Sequence, residues 1–174
     1  RSAPRLPSLP DPQNTQALQQ RVTLYFMGLC CACPALLAEA QSEHILTHTP
    51  LPAPWHAMGD WLLHWAAAQE DLHGEDMADS LKTALASRTG STGWELFQRT
   101  YLPTASDPEH LQLLAKQLGQ RWQYYAMLQE YQAFQRQVGT QMDDAAYRRM
   151  QALQREVLHF QQAAGALPDA WMQE

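Results

Sequence analysis

The chain has 174 residues, of which 45% are hydrophobic and 17% are charged, and its formal net charge is −6. This length and composition predict one globular domain with its own hydrophobic core and argue against an intrinsically disordered chain. The acidic balance argues against nucleic acid and anionic membrane surfaces as partners, because both repel a negatively charged protein.

The N-terminal segment is rich in proline, with four prolines in residues 1–14. Each proline fixes a backbone angle and removes a hydrogen-bond donor. We therefore expect residues 1–14 to form an extended lead or linker, and residues 15–174 to form a single helical domain.

The first helix is predicted from Thr15, because apolar residues then recur at helical spacing. These residues are Leu18, Val22, Tyr25 and Leu29. The pattern extends to Glu43, and Pro34 is expected to kink or split the helix. Residues 22–38 are uncharged, but they fall short of the roughly 20 residues that span a membrane. We interpret them as a buried helix and not as a membrane span or a secretory signal.

Five further helical patterns follow, over residues 54–68, 76–86, 94–101, 108–138 and 143–164. Residues 88–93 are expected to be a loop. The helix from Pro108 is expected to be capped by Ser106 or Asp107 and to stop at Gly139, and the last helix to start at Asp143 or Asp144. No alternating β pattern competes with these segments. The sequence thus predicts an all-α bundle of five or six helices.

The long helix predicted over residues 108–138 changes its apolar side along its length. Leu111, Leu114, Leu118, Trp122 and Tyr125 fall on one side. The opposite side holds Tyr124, Met127, Tyr131, Phe134 and Val138, which we call the 124–138 face. Two interpretations stay open. In the first, the helix kinks around Gly119 or is fully surrounded in its second half. In the second, the 124–138 face binds a partner.

One segment resembles a known family. It begins Glu109-His-Leu-Gln-Leu-Leu-Ala-Lys and continues through Tyr124-Tyr-Ala-Met-Leu-Gln-Glu-Tyr-Gln-Ala-Phe to Gly139. It resembles part of the non-catalytic subunit of two-component polyhydroxyalkanoate synthases. In that family a helical accessory subunit, which lacks the catalytic cysteine triad, associates with the synthase and promotes its activity. The resemblance carries over no catalytic residue, and it implies that the 124–138 face touches a protein partner.

Two sets of residues have the spacing of metal ligands. Cys30 and Cys33, followed by His44 and His48, could form a tetrahedral zinc site. Two Glu-x-x-His pairs, Glu70/His73 and Glu156/His159, have the spacing used in di-iron helical bundles. The helical pattern from Pro54 extends to Ala68 or beyond, and its apolar stripe of Trp61, Trp65 and Leu72 leaves Glu70 and His73 off the buried side. The apolar stripe of the last helix does the same for Glu156 and His159. We therefore expect solvated side chains there, with a metal-binding protein as the alternative.

The sequence contains no nucleophile elbow, phosphate-binding glycine loop or zincin motif. Its cysteines, Cys30, Cys31 and Cys33, are odd in number and crowded, which indicates a reducing, cytoplasmic location. We predict a non-catalytic interaction, adaptor or accessory protein without a cofactor. Its partner would be another protein, or a second copy of the chain, bound through the 124–138 face.

Overall fold

The computed structural model describes residues 11–165, and all the regular structure in this range is helical. Seven α-helices and one 3₁₀ helix follow one another: α1 Pro12–Ala32, the 3₁₀ helix Pro34–Ala38, α2 Ala40–His48, α3 Met58–Ala67, α4 Met77–Thr89, α5 Ser91–Tyr101, α6 Pro108–Val138 and α7 Asp144–Ala164. The predicted all-α class is confirmed. The predicted count of five or six helices is wrong, because the first pattern divides in two.

Helix α1 begins at Pro12, earlier than the predicted start at Thr15. The Asp11 carboxylate accepts a hydrogen bond from the backbone N–H of Asn14 at 3.1 Å, and the Asp11 carbonyl accepts one from the Thr15 hydroxyl at 3.0 Å. Proline is tolerated in a first helical turn, where its missing N–H has no intrahelical partner. The last part of the predicted extended lead is therefore helical, and residues 1–10 of that lead lie outside the described residues.

Pro34 divides the first predicted helix. The last regular bond of α1 is donated by the Cys33 N–H to the Leu29 carbonyl at 2.8 Å, and Pro34 has no N–H with which to continue it. The chain turns through the 3₁₀ helix to Glu39, whose extended backbone, with φ −82° and ψ 140°, lets α2 start in a new direction.

The loop predicted over residues 88–93 is not present. Helix α4 extends to Thr89, and only Gly90 separates it from α5. Gly90 adopts a φ of 79°, which favours glycine and reverses the chain in one residue. The composition of the segment indicated a loop, but its Ser and Thr residues instead occupy helix ends.

Helix α3 buries a different side from the one predicted. Its buried residues are Met58, Gly59, Leu62 and Ala66, while Trp61 and Trp65 are half-buried. The Trp61 ring lies 5.8 Å from the Arg88 guanidinium carbon, a distance typical of a cation–π contact. The large amphipathic rings lie at the edge of the helix interface, and the smaller residues fill its centre.

The chain sorts into two compact units. The larger unit comprises residues 20–119, and the described part of the smaller unit comprises residues 11–19 and 120–165. Helices α1 and α6 contribute residues to both. The single helical domain over residues 15–174 stays a prediction. Within residues 11–165, none of the helices combines the length and apolarity needed to cross a membrane.

The larger unit is built on the middle of α1, where every residue from Val22 to Cys31 is buried. This confirms the buried helix predicted in that stretch, which is apolar on all sides because it is surrounded. Next to it, the Tyr25 and Tyr101 rings meet edge to face, with centroids 5.1 Å apart. Phe97 lies 5.2 Å from Trp55 and from Tyr101, which completes an aromatic cluster.

The smaller unit holds a second core between α6 and α7. Its buried residues are Leu128, Tyr131, Met150, Leu153 and Val157. The helix ends follow the predicted signals. The Asp143 carboxylate caps α7 by accepting from the Ala146 N–H at 2.7 Å, and Gly139, with φ 61°, ends α6. Asp107 lies directly before α6 and accepts weakly from the His110 N–H at 3.4 Å.

Candidate binding groove

The 124–138 face lies against α7 of the same chain. Tyr131 is only 4% exposed, and Tyr124, Met127 and Phe134 pack around the α6–α7 core as half-buried residues. Val138 is also half-buried. The change of apolar side along α6 therefore has an intramolecular explanation, since the second side packs on α7.

Tyr131 is also fixed by hydrogen bonds. Its hydroxyl accepts from the Gln135 side-chain amide at 2.9 Å and from the buried Gln154 amide of α7 at 3.2 Å. An exposed ion pair joins the same helices, with Arg149 Nη2 2.7 Å from Glu130 Oε1. A partner on this face would have to compete with α7, and partner binding through it stays a prediction.

The proposed zinc ligands are not brought together. Cys30 is fully buried, whereas His44 and His48 are exposed, with their rings tilted by 33° and their centroids 4.1 Å apart. The Nδ1 atom of His48 is 2.9 Å from the His44 carbonyl oxygen, so it is occupied by the backbone of its own helix. Over residues 11–165, no group of three or more His, Cys, Asp or Glu residues is placed to hold a metal ion.

Both of the proposed di-iron pairs have exposed side chains. Glu70 and His73 lie in the connection between α3 and α4, so their spacing is not helical, and His73 instead contacts Asp71 at 3.3 Å. Glu156 and His159 are exposed residues of α7. The expectation of solvated side chains at all four positions is confirmed.

The three thiols are poorly suited to nucleophilic chemistry. Burial raises the pKa of Cys31 to about 12 and raises the pKa of Cys30 well above its usual range. Burial also raises the pKa of the half-buried Cys33 thiol, with a smaller contribution from Glu39. Because the thiolate is the reactive form, these cysteines behave as small apolar residues at neutral pH.

A groove of about 400 Å³ in the larger unit is the candidate site. The 3₁₀ helix contributes Leu37, α3 contributes Leu63 and Ala67, and Leu72 follows from the next connection. These side chains, together with alanines, form the apolar part of the lining. Its volume lies within the about 300–1,000 Å³ typical of ligand sites.

Local packing explains how the groove forms. Gly59 lets α3 approach α2 closely, since a Cβ atom there would lie 2.7 Å from the Leu46 carbonyl oxygen. The Ser42 hydroxyl donates to the Leu36 carbonyl at 2.5 Å and ties α2 to the 3₁₀ helix. Gln69, also in the lining, donates its side-chain amide to the Trp65 carbonyl at 3.2 Å and closes the end of α3.

Two carboxylates line the groove, Glu39 directly before α2 and Glu43 in its first turn. Both side chains are exposed. No residue between 11 and 165 forms an ion pair with either of them. The groove therefore offers apolar surface with two negative charges at its edge.

The groove lies within an acidic part of the chain. From Val22 to Leu81 there is no lysine or arginine, but there are eight acidic residues, and all are exposed: Glu39, Glu43, Asp60, Glu70, Asp71, Glu75, Asp76 and Asp79. Residues 20–119 contain eleven acidic and five basic residues, so their formal net charge is −6. The formal net charge of the whole chain is the same. The described residues of the smaller unit contain five of each and are neutral.

Reasoning from the sequence did not find the groove, because its lining residues are separated along the chain and meet only through the packing of α2, α3 and the 3₁₀ helix. One signal was nevertheless present. The absence of basic residues over residues 22–81 identifies a charged surface without any knowledge of the fold.

Comparison with known proteins gives no relative for this chain: no protein-family model matches it, and no curated protein and no solved structure resembles it significantly. The resemblance to accessory subunits of polyhydroxyalkanoate synthases stays a prediction.

Proposed function

We propose that this chain is a non-catalytic interaction protein that binds a segment of a protein partner in the groove between α2, α3 and the 3₁₀ helix. The observation that carries the proposal is the apolar groove edged by Glu39 and Glu43. The function class is the one predicted from the sequence, an interaction, adaptor or accessory protein. The binding surface differs, because α7 covers the 124–138 face.

The chemistry of the lining supports binding of a side chain or segment over catalysis. Catalytic and small-molecule sites place a few polar groups inside the pocket, where they fix the ligand's orientation. Here six of the nine lining residues are leucine or alanine, both carboxylates are exposed, and the Gln69 amide donates to the Trp65 carbonyl of its own segment. Apolar anchors with a charged rim are instead the usual anatomy of a protein interface.

The proposal is tested by panning a library of random 16-residue peptides against the protein. Ala67 is exposed and lines the groove, so Ala67→Trp fills the groove without disturbing the core. Ala145 is exposed on α7, and Ala145→Trp is the matched control. We expect wild type and Ala145→Trp to enrich the same peptides and Ala67→Trp to lose them.

Circular dichroism and thermal unfolding establish that both variants are folded before the comparison is made. Absence of enriched peptides on the wild type, or equal binding of those peptides to Ala67→Trp, would contradict binding in the groove.

A further inference from the structure

We infer that the occupant of this groove is a basic amphipathic helix of the partner protein, whose apolar side enters the groove while its lysines and arginines face Glu39 and Glu43. The inference rests on the proposed function and specifies the chemistry of the partner.

The first step is charge. The groove draws its lining from residues 37–72, inside the stretch that has eight acidic residues and no lysine or arginine. An acidic partner segment would be repelled at every approach, whereas a basic one is attracted before contact and held at the rim. Repulsion between like charges also disfavours the larger unit of a second copy, which has the same acidic surface.

The second step is the shape of the partner. Extended peptides add to the exposed edge of a β-sheet, and the described residues contain no strand to receive one. A groove between helices is instead the usual receptor for an amphipathic helix, which presents apolar residues at i, i+3 or i+4 and i+7. The groove of about 400 Å³ takes apolar anchors from such a helix.

The third step is the spacing of the two carboxylates. Glu39 and Glu43 are four positions apart at the start of α2, which corresponds to about 6 Å along a helix. Basic residues at i and i+4 of a partner helix have the same separation. Neither carboxylate has an ion-pair partner within residues 11–165, so a basic partner does not have to displace an ion pair formed by these described residues.

The test uses the peptides enriched on wild-type protein, synthesised individually. We expect them to combine lysine or arginine with helically spaced apolar residues, and to become helical when they bind. We expect their affinity to fall about five- to tenfold in the double variant Glu39→Gln/Glu43→Gln, because each exposed ion pair contributes modestly. Affinity should also fall when salt rises from about 0.05 M to about 0.5 M, as screening shortens the reach of the charges.

The matched control is Glu70→Gln/Glu75→Gln. It removes the same net charge from the same acidic stretch, but at exposed positions outside the groove lining. This control variant should change the affinity of the peptides by less than twofold, which corresponds to the smallest contributions of exposed charges to binding.

The outcomes separate the two proposals. Enriched peptides without an excess of basic residues, or equal effects of the two double variants, would overturn the basic helix and leave groove binding in place. Absence of enriched peptides on the wild type, or equal binding of those peptides to Ala67→Trp, would overturn groove binding and the basic helix with it.

Discussion

Gly28 lies where the middle of α1 approaches the end of α5 within the larger unit. A Cβ atom at this position would overlap the carbonyl oxygen of Tyr101, which is backbone and cannot move aside. Gly119, in the middle of α6, differs: there a Cβ atom would meet only the side-chain amide of Gln41. Gly28 is therefore needed for close packing, whereas Gly119 can be replaced by a residue with a Cβ atom.

We predict opposite effects of alanine at these two glycines. Gly28→Ala should lower the free energy of unfolding by about 1–3 kcal/mol, the usual cost of overpacking a buried site. Gly119→Ala should be neutral or stabilise by up to about 1 kcal/mol, because Gln41 can rotate away and alanine favours the helix. Urea denaturation of both variants measures the difference. A Gly28→Ala variant as stable as the wild type would contradict the close approach of α1 and α5, and a destabilised Gly119→Ala variant would contradict the tolerance of Gly119.

The buried thiols predict a pH dependence. In the folded chain, burial raises the pKa of Cys31 to about 12 and raises that of Cys30 as well. In the unfolded chain, a thiol has a pKa of about 8.5. Above that pH the thiols of the unfolded state lose protons that the folded state retains. The contribution of the thiols to the free energy of unfolding is therefore fully present below about pH 8.5 and is lost as the pH rises.

The test compares wild type with Cys30→Ala/Cys31→Ala between about pH 7 and pH 10, using urea denaturation. The variant should lose less stability over this interval, by up to about 1.4 kcal/mol per pH unit for each thiol. Comparing the two proteins cancels the titration of other groups. Parallel pH profiles would contradict the burial of these thiols.

At the scale of elements, α6 and α7 are held together by the face that the sequence suggested for a partner. Tyr131→Ala should destabilise the fold by about 3–5 kcal/mol, because it removes a buried aromatic ring and leaves the Gln154 amide without this acceptor. Leu158→Ala, at a 38% exposed position of α7, should cost much less and serves as the control. Thermal and urea unfolding measure both. A stable Tyr131→Ala variant that has lost association with a partner would instead support the original interpretation of the 124–138 face.

Helix ends were more predictable than helix surfaces. Asp107, Asp143 and Gly139 act locally, through a side-chain cap or a positive φ, so a few neighbouring residues suffice to identify them. Gly90 was the exception, since one glycine replaced the loop suggested by its polar neighbours. The side of α6 that meets α7 could be located from periodicity, but periodicity cannot tell an intramolecular neighbour from a partner.

At the scale of the whole molecule, the net negative charge of the described residues comes from the unit that contains the groove. Net charge alone argued against nucleic acid and anionic membranes as partners but did not locate a surface. The groove itself is lined by Leu37, Leu63 and Leu72, which come from different segments of the sequence. Local patterns cannot specify such a lining, because it arises from the packing of helices on one another.

Hydrogen–deuterium exchange of the wild-type protein, with and without a saturating enriched peptide, tests the central claim most directly. Binding in the groove should slow exchange in α2, around Glu39 and Glu43, and in the last turn of α3, near Ala67. Exchange in α7 should be unchanged. Protection confined to α6 and α7, with none in α2 or α3, would contradict the groove and return the binding surface to the 124–138 face.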